Sequence, residues 1–108
     1  MSFGLEPQII ASIRQILSRH SGIERAIIYG SRAKGTYRRG SDTDLTLVGT
    51  TLTYDDLVQI IQEFDDSLIP YKIDLSLWHF IRDPAVRSHI ERRGKVFYDP
   101  TLSGLKPH

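Results

Sequence analysis

At 108 residues the chain has room for one domain with a core of its own and little room for a second. It contains no cysteine, which excludes both a disulfide framework and a thiolate metal site, and its apolar and charged fractions are those of an ordinary soluble globular protein. The net charge of +1 says little as a total, and no stretch reads as a signal peptide or a membrane span, so a cytoplasmic location is the default expectation.

In chain order, residues 7–20 read as a helix. Pro7 suits the first helical position, where its missing N–H costs nothing, and Ile9, Ile10, Ile13, Ile16 and Leu17 recur at helical spacing. Ser21-Gly22 supplies the stop. Residues 24–29 form a short β-branched strand that ends at Gly30-Ser31, and a helical turn is expected from Ser31 to about Tyr37. A second strand covers 43–49, with Leu45 and Leu47 on one face and Asp44, Thr46 and Val48 on the other. Thr53 then caps a long helix with Asp55 and Asp56 in its first turn, and Leu57, Ile60, Ile61, Phe64 and Leu68 form its buried stripe.

The third strand runs from Tyr71 to Trp78. Ile73, Leu75 and Leu77 share one face; Lys72, Asp74, Ser76 and Trp78 share the other. Asp83-Pro84 opens a last helix that ends at Arg93-Gly94, with Val86 and Ile90 facing inward, and Val96, Phe97 and Tyr98 make a short edge strand. Residues 1–98 are read as the domain and 99–108 as a flexible tail. A helix crossing from the second strand to the third implies a parallel pair, hence an α/β (α+β) fold whose mixed sheet carries helices on one face.

The chemistry gathers between residues 29 and 47. Gly30-Ser31 opens a turn in which backbone N–H groups can receive an anion, and Gly30 permits the close approach that a side chain would block. Asp42 and Asp44, two apart, point the same way, and two crowded carboxylates repel unless a cation sits between them. Asp74 is a carboxylate in mid-strand between apolar neighbours. If the second and third strands are neighbours with their leucine faces on the helices, Asp42, Asp44 and Asp74 meet on the uncovered face. Three such carboxylates suit one or two Mg²⁺ ions, or Mn²⁺, with phosphate oxygens and water completing the coordination. Asp42 and Asp44 are the shared metal ligands in this reading, and Asp74 binds the metal nearer the acceptor and serves as, or helps position, the general base. Arg32, Lys34, Arg38 and Arg39 are candidates for phosphate neutralisation.

Blander matches fail on their details. Gly30-x4-Gly35 has the glycine spacing of a P-loop, but Thr36 and Tyr37 stand where Lys and Ser/Thr are required. Asp42-x-Asp44-x-Thr46 lacks the glycine and the closing glutamate of a calcium loop. His20, His79, His89 and His108 have no paired metal spacing. Trp78 and Tyr71, flanking the Asp74 strand, are read as packing residues rather than base-stacking ones, with Trp78 suited to either role.

Gly-Ser-x-x-x-Gly at 30–35 and Ser-Asp-x-Asp-Leu at 41–45, with ten residues between Ser31 and Asp42, followed later by Asp74 on a strand, resemble the minimal nucleotidyltransferase branch of the DNA polymerase β-like nucleotidyltransferase superfamily. The resemblance covers about residues 24–78. It implies a mixed sheet with helices on one face, metal-dependent nucleotidyl transfer from a nucleoside triphosphate, ATP first, and nucleotide binding by Gly30, Ser31, Arg32 and Lys34. It also implies a partner, because many members are antitoxins paired with a helical HEPN-type ribonuclease toxin that some inactivate by adding AMP to a tyrosine. Two other readings stand beside it: a non-catalytic antitoxin that occludes its partner, and, more weakly, a nucleic-acid-binding module using the basic cluster. The acceptor and any homo-oligomer are left open.

Overall fold

The computed structural model describes residues 3–36 and 42–101. Its elements follow the chain as α1 (Pro7–Ser18), β1 (Arg25–Tyr29), α2 (Ser31–Lys34), β2 (Thr43–Val48), α3 (Tyr54–Asp65), β3 (Ile73–Leu77), a 3₁₀ turn (Trp78–Phe80), α4 (Pro84–Arg93) and β4 (Lys95–Tyr98). The strands form one four-stranded mixed sheet in the order β3-β2-β1-β4. β2 and β3 are parallel, so the chain must return to the same end of the sheet between them, and α3 is that crossover. β1 pairs antiparallel with both β2 and β4.

The core lies between the sheet and α1 and α3. Ala26, Ile28, Leu45, Leu47, Leu77 and Phe97 meet Ile13, Ile16, Leu17, Ile60 and Phe64 there, all buried. Just past α1, His20 Nε2 lies 2.8 Å from one oxygen of Glu63 on α3, and the Arg19 guanidinium lies 3.6 Å from the other. The Thr53 cap is complete: its hydroxyl accepts from the Asp56 N–H at 3.2 Å, and the Asp56 carboxylate accepts from the Thr53 N–H at 2.9 Å. Thr53→Ala should therefore cost about 1 kcal/mol of stability, read as a fall in melting temperature, with Asp55→Ala costing less.

Several expected boundaries move inward. α1 ends at Ser18 rather than 20, α2 ends at Lys34 rather than near Tyr37, and β3 begins at Ile73. Tyr37, Arg38 and Arg39 lie outside the described residues. Leu68 does not join the α3 stripe but is 99% exposed, because the helix ends at Asp65 and its 3.6-residue period ends with it. Ile61 and Val86 are also largely on the surface, which leaves Ile90 as the buried residue of α4. Trp78 leaves the strand for the 3₁₀ turn and packs under Arg87, whose guanidinium lies 4.1 Å from its ring and donates to the Trp78 and Ile81 carbonyls.

The helices are not all on one face. A Cβ built at Gly94 would lie 2.5 Å from Ile27 Cγ2, and the His89 ring meets Tyr29 edge-on at 6.5 Å. Ile27 and Tyr29 point away from the core, so α4 crosses the opposite face, at its β1 side. Of the last residues, 99–101 are described, and the Asp99 carboxylate accepts from the Thr101 N–H. Among the described residues no helix is long and apolar enough to cross a membrane.

Candidate active site

Directly opposed residues on neighbouring strands point to the same face of a sheet. Tyr29 opposes Asp44, and Asp44 opposes Asp74. These three side chains form one row across the face away from α1 and α3, with Ile27, Thr46 and Ser76 as the row beneath. Only the register of a parallel pair brings Asp44 and Asp74 side by side from thirty positions apart.

The row behaves as crowded like charge. The Asp44 carboxyl is pushed above the ordinary carboxylate value by burial first, then by the negative charge of Asp74 and of Asp42, with a hydrogen bond to Asp74 acting in the same sense. Tyr29 is half-buried, and its phenol is held above its ordinary value by burial, against the opposing effect of the Ser76 hydroxyl, with Asp44 and Asp74 adding to the rise. Tyr29 therefore stays protonated at neutral pH. Asp42 is exposed and precedes β2, near enough to be felt at Asp44. Lys72 Nζ stands 3.9 Å from Asp74 Oδ1 at the outer edge, where solvent screens it.

The Gly30-Ser31 turn sits directly against this row. Gly30 has φ +80°, and a Cβ there would lie 2.5 Å from Asp44 Oδ2. The Asp44 carboxylate thus fills the space a side chain at Gly30 would need, and the start of α2 lies against it. α2 then closes with Gly35 in the left-handed region, its N–H bonded within the turn.

The basic residues separate. Arg32 is 2% exposed, with Nη1 donating to the Phe3 carbonyl at 2.9 Å and its guanidinium over the Tyr71 ring. It points into the protein, unlike the outward, phosphate-facing position expected of it. Successive residues of a helix turn by about 100°, so Arg32 and Lys34 cannot face the same way: Arg32 and Ala33 are buried while Lys34 faces out. Lys34 lines a cleft of about 640 Å³ with His89, Arg92, Arg93 and Lys95. The sequence reading missed that α4 and β4 bring cations to this side, and it missed Tyr29. The alternation of β1 could have placed Tyr29 on the Ile27 face, but not opposite Asp44.

Among the described residues no three acidic or histidine side chains stand close enough to hold an ion unaided. Asp44 and Asp74, with Asp42 beside them, are nonetheless a hard-oxygen donor set, and their mutual repulsion calls for a cation. Magnesium is commonly bound through one or two carboxylates with substrate phosphates completing its shell, so the residues fit.

Residues 11–101 match the family model described as "Polymerase beta, Nucleotidyltransferase". No curated protein matches the chain. Among solved structures, a toxin–antitoxin crystal structure with AMP-PNP is 18% identical at TM-score 0.66, the match covering 92% of this chain and 77% of that one. The toxin–antitoxin MntA-HepT is 14% identical at TM-score 0.64, covering 91% and 76%. A tri-AMPylated Shewanella oneidensis HEPN toxin in complex with its MNT antitoxin gives 13% identity and TM-score 0.62, covering 90% and 75%.

Proposed function

The chain belongs to the polymerase beta nucleotidyltransferase family, and from that premise we propose that it transfers a nucleoside monophosphate, AMP first, from a nucleoside triphosphate to a hydroxyl on a helical HEPN-type partner. One observation supports the reading: Asp44, in register with Asp74, lies directly against Gly30, the start of the turn proposed to receive the anion. Asp42, Asp44 and Asp74 would hold Mg²⁺, which when bound offsets phosphate charge and polarises the reacting phosphoryl group.

The chain's own residues do the rest. The Ser31 hydroxyl and the first N–H groups of the turn, which have no partner within the helix, bind the terminal phosphates. Lys34 adds charge at the mouth, with Arg92, Arg93 and Lys95 on the same side. Asp74, at the outer strand, accepts the proton of the acceptor hydroxyl as its oxygen attacks the α-phosphorus and pyrophosphate departs. Tyr29 holds its proton and closes the row on the side of α4. The similar structures, whose descriptions include AMP-PNP, HEPN toxin and AMPylation, support the choice of nucleotide and partner.

Mg-ATP should stabilise the wild type by ligand linkage, about 2.7 kcal/mol at a hundredfold excess over Kd. For a domain of this size that is a rise in melting temperature of roughly 10 °C or more. A wild type that melts identically with and without Mg-ATP would count against the site. Intact-mass measurement on a HEPN-type protein co-expressed with this chain tests the transfer itself. An unmodified partner that wild type and Asp44→Asn neutralise equally would make this a binding antitoxin.

A further inference from the structure

Arg32 is buried between the Gly30-Ser31 turn, the segment before α1 and Tyr71. It follows the Gly30-Ser31 turn directly, and it is among the largest fully buried side chains of the chain. Its Nη1 bonds to the Phe3 carbonyl at 2.9 Å, and its guanidinium carbon lies 5.1 Å from the centre of the Tyr71 ring. The Tyr71 hydroxyl in turn donates to Glu6 Oε1 at 2.8 Å. Phe3 and Leu5 are buried, and the Phe3 ring packs on Phe97 at 5.9 Å, so the segment before α1 is anchored rather than loose. Tyr71 stands three residues before Asp74. β1 and β3 do not touch in the sheet, because β2 lies between them.

We propose that Arg32 is a positioning residue, a buried strap from the phosphate turn to the N-terminal segment and the start of β3 that sets the Gly30-Ser31 turn against the Asp74 strand. A guanidinium is costly to bury, and an apolar side chain of similar volume would fill the space at lower cost. What the guanidinium adds is direction: a planar group that bonds in its plane to one element and stacks by its face on another. A Met at this position would pack but leave the distance between turn and strand unset.

Two backbone amides report on the two ends of the strap. The Lys34 N–H bonds to the Gly30 carbonyl at 3.1 Å, and the Thr43 N–H to the Lys72 carbonyl at 3.0 Å. Hydrogen exchange of both should be measured in Arg32→Met, in Arg32→Lys and in Ile13→Val, a core variant on α1, at a temperature where each is folded. Arg32→Met is expected to exchange about tenfold faster at both amides, beyond any change in its slowest core amides, with partial recovery in Arg32→Lys and no selective change in Ile13→Val. Equal behaviour of Arg32→Met and Ile13→Val overturns the proposal and makes Arg32 an ordinary core residue. Should Arg32→Met not fold, Tyr71→Phe removes the link to Glu6 and is read at the same amides, about threefold faster if the strap holds; no change there overturns it.

The consequence for binding rests on the proposed function: Mg-ATP affinity should fall about tenfold in Arg32→Met, since misplaced groups lose the benefit of orientation. A wild type that binds no nucleotide while the exchange signature is present would sink the nucleotidyltransferase reading and leave the strap standing.

Discussion

Asp44→Asn should melt at a higher temperature than the wild type at pH 7 while losing essentially all transfer activity. In the folded chain the Asp44 carboxyl is raised above its ordinary value by burial and by Asp74 and Asp42. Between the ordinary value and the raised one, the folded state holds a proton that the unfolded state has released. Stability therefore falls as pH rises through that window, and it stays lower above it. Asparagine has no charge to repel Asp74, so the penalty disappears. Asp44 is only partly buried, and solvent screens part of the repulsion. The gain should therefore sit at the low end of the about 0.5–2 kcal/mol that relieving such sites commonly gives, a shift of a few degrees for a domain of this size. The two proteins should converge as pH drops below the carboxylate range, where Asp44 is neutral in both states. Transfer should fall by about 10²–10³-fold or more, the scale on which removing one preorganised electrostatic group acts. Melting curves from pH 3 to 8 and intact mass of the partner give both readouts. A less stable Asp44→Asn at pH 7 would mean that the carboxylate holds the fold together, and the charge-crowding account would fail.

Gly30→Val should be the most damaging single change at the site. A valine must adopt φ near +80° and place its Cβ 2.5 Å from Asp44 Oδ2. Backbone strain of about 1–3 kcal/mol adds to an overpacking cost of similar size. The melting temperature should drop by roughly 10 °C or more, and Mg-ATP binding should vanish even where the protein is folded. Gly35 is the control. It shares the positive φ, at +81°, but a Cβ there meets nothing within 4 Å. Gly35→Ala should cost only the conformational term, about 1 kcal/mol, and leave nucleotide affinity near the wild type. Calorimetric titration of both variants decides between them. Equal loss of binding in the two would show that the turn matters for its backbone shape alone and not for its closeness to Asp44.

Much of this molecule was legible in its sequence because the signals are local. The spacing of Ile13, Ile16 and Leu17 is a property of twelve consecutive residues, and it makes α1 wherever the chain goes. Alternation alone put Leu45 and Leu47 opposite Asp44, and Leu75 and Leu77 opposite Asp74. The crossover helix required β2 and β3 to be parallel, and the glycine before Ser31 marked a tight approach. What sequence periodicity cannot carry is register between strands and the choice of face for each helix. Whether Asp44 meets Asp74 depends on which residue of β3 lies beside it, and a slip of one residue would have turned that carboxylate into the core. α4 has a weak apolar stripe, so its own pattern did not say that it would cross the carboxylate face and bring His89, Arg92 and Arg93 with it. Arg32 and Lys34 are both basic and two residues apart. Only the packing of Phe3 and Tyr71 around α2 decided that one became a buried tie and the other faces the open cleft, because the rotation of a four-residue helix is set by what surrounds it and not by its own sequence.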